Sequence, residues 1–151
     1  MKISILTSLL FSLTILFSSC LGDEEPNALV EPLPTISEFI ESNNLNTEIT
    51  SSGLNYIIKE QGGADRPTTS STITINYRGY LLNGEVFDAR DNQTFPLNNL
   101  IQGWQEGIPL IGEGGEIQLL IPSNLAYGSR GAGSIPPNTD IGFDIRLISF
   151  Q

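Results

Sequence analysis

Ile73-Thr74-Ile75-Asn76-Tyr77-Arg78-Gly79, then Tyr80-Leu81-Leu82, Asn83-Gly84 and Glu85-Val86-Phe87-Asp88, read as two β-strands joined by a tight turn. Ile73, Ile75 and Tyr77 alternate with Thr72, Thr74 and Asn76, the period of two expected when one face of a strand is buried and the other wet. Asn-Gly supplies the positive φ angles of a type I′ turn, whose twist matches the strands it joins. The same period returns in Leu54, Tyr56 and Ile58, in Ile117, Leu119 and Ile121, and in Ile141, Phe143, Ile145 and Leu147. Together these segments predict a half-buried antiparallel sheet. One segment breaks the pattern: Ile101, Trp104, Gln105 and Ile108 recur at i, i+3, i+4 and i+7. A short helix there should lay its apolar side across one face of the sheet.

Outside this body the signals change. Thr35-Ile36-Ser37-Glu38 fits a capping box, and Ile36, Phe39 and Ile40 share a helical face, so a two-turn helix should run up to Asn43-Asn44. The Gly- and Pro-containing stretch from Ser123 to Thr139 is too long for an idle connection and is a place to look for function. At the other end, Met1-Lys2 precedes an apolar run from Ile3 to Phe17 and the small residues Ser18-Ser19, the pattern of a secretory signal peptide. The alternative is an uncleaved N-terminal anchor helix, for which the run is short. Phe17-Ser18-Ser19-Cys20 resembles a bacterial lipobox, in which the Cys carries acyl chains and tethers the protein without a transmembrane helix. A plain signal peptide with an incidental Cys is the competing reading. Asp23-Glu24-Glu25 with Pro26, Pro32 and Pro34 then read as an extended tether, either a solvated linker or a surface-sorting signal. The expected organisation is therefore a lipoprotein signal peptide at 1–19, lipidated Cys20 and tether at 20–34, a short helix and linker at 35–52, and the main domain at 53–151.

Composition narrows the chemistry. Seventeen acidic residues against seven basic ones give a formal net charge of -10, which argues against nucleic acid as a partner. The chain has no His, and Cys20 is its only Cys. Intramolecular disulfides, Ser-His-Asp and Cys-His nucleophiles and the common zinc sites are thereby excluded. Any catalysis has to use carboxylates, hydroxyls, backbone amides or an apolar pocket.

Several blocks in order carry a resemblance to a known family. They are Ile73 to Gly79, Asn83 to Asp88, Phe95-Pro96-Leu97 and Leu100-Ile101-Gln102-Gly103-Trp104-Gln105-Glu106-Gly107. Gly114 to Pro122, Leu125-Ala126-Tyr127-Gly128, Ile135-Pro136-Pro137 and Phe143-Asp144-Ile145 follow. Spanning Gly53 to Phe150, they resemble the FKBP-type peptidyl-prolyl cis-trans isomerases. Taken singly, Phe87, Trp104, Ile135 and Phe143 read as ordinary core residues and Asp88 as a loop carboxylate; their joint order gives the resemblance its weight.

The resemblance implies an α+β fold, FKBP-like, with a curved antiparallel sheet of about five strands wrapped around one short α-helix. It implies a proline pocket lined by Tyr77, Phe87, Asp88, Leu100, Ile101, Trp104, Tyr127, Ile135 and Phe143, with Trp104 beneath the proline ring. The Ile101 N–H and the Tyr127 hydroxyl would bind substrate carbonyls, and Asp88 would be held by Tyr77 and Arg90. No cofactor or metal is implied. The implied partners are proline-containing unfolded or exported polypeptides and rapamycin-type macrolides, together with the membrane through Cys20, in the cell envelope. A non-catalytic proline-binding chaperone or docking module on the same fold is the alternative, and a surface adhesion lipoprotein a more distant one. One departure stands out: few residues separate Asp88 from Phe95, and the aromatic that borders the family's pocket in that loop has Gln93 as its nearest counterpart.

Overall fold

The capping box forms as its residue types dictate. In the computed structural model, which describes residues 32–151, the Thr35 hydroxyl accepts from the Glu38 N–H (3.3 Å) and the Glu38 carboxylate accepts from the Thr35 N–H (2.8 Å). Helix α1 (Ile36–Ser42) follows, ending at Asn43 and at Asn44, whose φ is +56°. The expected signal peptide at 1–19, Cys20 and most of the expected tether at 20–34 lie outside the described residues. Leu33, at the end of the expected tether, packs against the main core.

Six strands form one antiparallel sheet: β1 (Glu48–Ile49), β2 (Asn55–Glu60), β3 (Thr72–Leu81), β4 (Val86–Pro96), β5 (Glu116–Ile121) and β6 (Ile141–Phe150). Their order is β1-β2-β5-β6-β3-β4. The expected count was about five. The additional strand is β1, whose two residues are too few to show a period; it pairs Glu48 with Tyr56, and the Tyr56 hydroxyl also donates to the Glu48 carboxylate (2.8 Å).

Two further expectations are corrected along the β3–β4 hairpin. The stretch after Asp88 is not a loop but the continuation of β4 to Pro96, in register with β3 as far as Thr72. Its sequence hides this because β4 is an edge strand whose residues Ala89 to Asn92 are exposed in a row, so nothing imposes alternation there. A bulge opposite Asn76 absorbs the mismatch: Asn92 adopts φ +52° and its N–H donates to the Asn76 side chain (2.8 Å). The hairpin exists, yet its turn is not type I′. Only Gly84 has a positive φ (+92°), and the loop closes through Gly84 N–H to Leu81 C=O and Leu81 N–H to Glu85 C=O, both 2.8 Å. This is a three-residue loop with glycine at the left-handed position.

The two helices take opposite faces. Along β5, Ile117, Leu119 and Ile121 point into the main core, whereas Leu120 joins Leu82 and Ile36 under α1. Helix α2 (Gln102–Gly107), extended by a 3₁₀ turn over Ile108–Leu110, lies on the core side. It can sit close because its contact residues lack side chains. A Cβ on Gly103 would come within 2.5 Å of Ile121, and one on Gly107 within 2.6 Å of Leu119. Leu54, Ile73, Ile75, Leu97, Ile108, Ile111, Ile141 and Leu147 complete a core with no solvent exposure. The uncovered part of the outer face carries ion pairs, Lys59–Asp144 (2.8 Å) and Arg146–Glu116 (3.1 Å) among them. Among the described residues no helix is long and apolar enough to cross a membrane.

Candidate functional site

Where β3, β4 and β6 leave the end of α2, the sheet does not close over the helix, and a cavity of about 540 Å³ opens. Strand β3 supplies Tyr77. Strand β4 supplies Phe87, Asp88, Arg90 and Phe95, and β6 supplies Phe143. The segment entering α2 contributes Asn99, Leu100 and Ile101, α2 itself contributes Trp104, and the long loop after β5 contributes Tyr127 and Ala132 to Ile135. All ten residues expected from the resemblance to form the pocket and its polar contacts thus lie around one cavity. Cys20, the eleventh expected site residue, falls outside the described residues.

Trp104 and Phe143 sit deepest, 5% and 3% exposed. Their rings meet edge to face at 4.9 Å, Tyr77 meets Trp104 at 5.2 Å, and Phe87 meets Phe143 at 5.5 Å. Such contacts are individually worth about 0.5–1.5 kcal/mol and fix ring orientation. Gly79 makes this packing possible: a Cβ there would come within 2.5 Å of both the Phe87 and the Phe143 rings. The Trp104 indole N–H is buried without a partner.

The polar groups gather at one side of the mouth. The Tyr77 hydroxyl donates to Asp88 Oδ2 (2.6 Å) and the Arg90 Nε to Asp88 Oδ1 (3.2 Å). The Tyr77 hydrogen bond, aided by Arg90, holds the Asp88 carboxyl below its ordinary value. Burial, together with the hydrogen bond to Asp88, pushes the Tyr77 phenol up to about 12. Burial and the Asp88 charge also raise Tyr127, which stays protonated and a donor at neutral pH. The Ile101 N–H, at the N-cap of α2, donates to no group among the described residues. Two kinds of donor, a backbone amide and a phenol, therefore border an aromatic hollow. Among the described residues no cluster of His, Cys, Asp and Glu could hold a metal.

Some lining residues were not anticipated. Phe95, not Gln93, borders the cavity from β4, 6.5 Å from Tyr77. The signal was its place as the single aromatic in a polar run after Asp88, obscured because that run was expected to be a loop. The tip Ala132-Gly133-Ser134 forms one wall, held as a small hairpin by paired hydrogen bonds between Ala132 and Ile135 (3.0 and 2.8 Å). Residues so small and polar carry no pattern a sequence reading can use.

Comparison with known proteins agrees with this geometry. The profile of the FKBP-type peptidyl-prolyl cis-trans isomerase family matches residues 63–148. The chain is 46% identical over 104 residues to the probable FKBP-type peptidyl-prolyl cis-trans isomerase FkpA of Neisseria meningitidis serogroup B, covering 66% of this chain and 38% of that one. It is 41% identical over 106 residues to FkpA of Escherichia coli K12, covering 68% and 39%. The chain thus spans about two-fifths of the length of these curated relatives. The crystal structure of FkpA from Escherichia coli superposes with a TM-score of 0.72 at 36% identity, over 76% of this chain and 57% of that one. That of AtFKBP13 gives 0.66 at 34%, over 71% and 100%. On the matched profile, on this identity and on an antiparallel sheet around one short helix, the chain belongs to the FKBP-type peptidyl-prolyl cis-trans isomerase family.

Proposed function

We propose that the protein catalyses cis–trans isomerisation of X-Pro bonds in exported polypeptides, as a folding catalyst of the cell envelope held to its membrane by acyl chains on Cys20. The observation that carries the catalytic reading is the aromatic hollow of Trp104, Phe143, Tyr77 and Phe87 beside the unpaired Ile101 N–H. Rotation about an X-Pro bond is opposed by a barrier of about 18–20 kcal/mol because amide resonance has to be broken. The twisted amide has lost charge separation, so a water-poor ring-lined cavity favours it over the planar ground state. The proline ring lies against Trp104, while the Ile101 N–H and the Tyr127 hydroxyl hold the flanking carbonyls and leave the twisting bond free. Asp88, held in place by Tyr77 and Arg90, stands beside that bond as a carboxylate. No nucleophile or proton relay is needed, which suits a chain without His. Uncatalysed isomerisation takes tens of seconds or more, slow enough to limit folding. The cavity volume falls within the range of small-molecule sites, and a rapamycin-type macrolide is proposed to compete for it.

The test is the cis-to-trans rate of short X-Pro peptides with the wild-type protein and its Asp88→Ala and Tyr127→Phe variants. Acceleration that drops about tenfold or more in the variants, equivalent to about 1.4 kcal/mol of lost transition-state stabilisation, supports the reading. No acceleration by folded wild-type protein across several X residues sinks it and leaves a proline-binding module. Anchoring is tested separately by labelled fatty-acid incorporation, which Cys20→Ser should abolish together with membrane fractionation.

A further inference from the structure

Gln105 falls in the apolar stripe that predicts α2, yet it is polar and does not line the cavity. Its side-chain amide turns back along the helix and donates to the Leu100 carbonyl (2.8 Å) and to the Asn98 carbonyl (3.3 Å). The backbone there needs such a partner. The 3₁₀ turn over Leu97–Asn99 gives way to two extended residues, Leu100 (φ -97°, ψ 171°) and Ile101 (φ -59°, ψ 150°), before α2 begins. The Ile101 carbonyl, as the N-cap of α2, accepts from the Trp104 and Gln105 N–H groups (3.0 and 3.2 Å), but the Leu100 carbonyl one residue earlier has no backbone N–H partner among the described residues.

The Leu100 carbonyl and the Ile101 N–H belong to one peptide plane, and in a trans peptide they point in opposite directions. Fixing the carbonyl end fixes the direction of the N–H, the donor that borders the cavity and has no partner of its own. Donation to the carbonyl oxygen also polarises the amide and strengthens its N–H, as hydrogen bonds in a chain reinforce one another. We propose that Gln105 is a positioning residue: it orients and polarises the Leu100–Ile101 peptide so that the Ile101 N–H is held ready for a substrate carbonyl. This deepens the isomerase reading and rests on it for its catalytic consequence.

The experiment uses the purified protein with Gln105→Met and Gln105→Glu, both close in size to Gln and both without an amide donor at pH 7.5. Each should keep the wild-type circular dichroism and lose about 3- to 10-fold in kcat/KM, the range set by one net hydrogen bond. Lowering the pH to 5 should restore part of the activity to Gln105→Glu alone, because a protonated carboxyl regains one O–H donor. Wild type and Gln105→Met should stay flat over that range, since the chain has no His. A packing role alone would not produce this recovery, because protonation restores a donor and leaves the size of the side chain unchanged. Independently of turnover, the Ile101 amide proton should move upfield in both variants by NMR. Wild-type activity in Gln105→Met, no recovery of Gln105→Glu at pH 5, or an unmoved Ile101 resonance would each overturn the proposal. If wild-type protein does not accelerate isomerisation, the isomerase reading fails, and the Ile101 resonance alone decides whether Gln105 orients that amide.

Discussion

Asp88 sets how the site responds to acid. Its carboxyl is held low chiefly by the Tyr77 hydroxyl, then by Arg90, so the ionised form persists below the ordinary carboxylate value of about 3.9. A depressed folded-state pKa stabilises the fold above the unfolded value, and that contribution is lost as pH falls through the lowered one. Peptide isomerisation should therefore be level from about pH 5 to 8 and fall only at pH below the ordinary carboxylate value, where Asp88 protonates. Tyr77→Phe removes the main cause of the depression, so the acid limb of the pH–rate profile should move to higher pH in that variant. Gly79 works through sterics instead. Gly79→Ala would drive a methyl group into the Phe87 and Phe143 rings, so we expect a loss of about 1–3 kcal/mol in urea unfolding and a collapse of kcat/KM. Stability lost without any change in kcat/KM would show that the two rings are not held through Gly79.

Helix α1 and the cavity belong to different layers, and they should separate in experiment. Thr35→Ala removes half of the capping box, which costs about 1 kcal/mol. For a domain of this size the melting temperature should fall by about 3–5 °C, measured by calorimetry. Because α1 packs on Leu82 and Leu120, across the sheet from Trp104, isomerase activity below the transition should not change. At this scale the sequence was informative in proportion to burial. Helix α2 and the strands around Ile75, Leu119 and Ile145 showed themselves because a buried face imposes a period, while α1 announced itself through its exposed capping box. Strand β4 beyond Asp88 and strand β1 did not, the first because its residues from Ala89 to Asn92 are exposed and the Asn92 bulge breaks the alternation, the second because two residues have no period. The pocket aromatics could be placed through ordered blocks shared with a family. Phe95 was hidden by the misread edge, and the Ala132–Ser134 wall by side chains too small to pattern. Gln105 was visible only as an anomaly, a polar residue at an apolar helical position.

Over the whole molecule the acidic excess dominates solution behaviour. A net charge of -10 keeps copies apart at neutral pH, and that repulsion vanishes near the isoelectric point of about 4.2. Solubility should pass through a minimum close to pH 4, measured by light scattering across a pH series, and recover on either side. The acid limb of the rate profile is reached only through this region, so it should be recorded at low protein concentration. The sheet ends in strands that cannot readily be extended. On one side β1 offers two residues; on the other, β4 is bent by the Asn92 bulge, carries Arg90 and Asp91, and closes on Pro96, which has no N–H. Unfolded polypeptides are the molecules most prone to add themselves to a bare sheet edge and seed aggregates. The proposed client would enter the aromatic hollow beside β4, and on that edge it meets no straight row of backbone groups on which to polymerise, so the site's own edge does not template assembly of the chains it is proposed to bind.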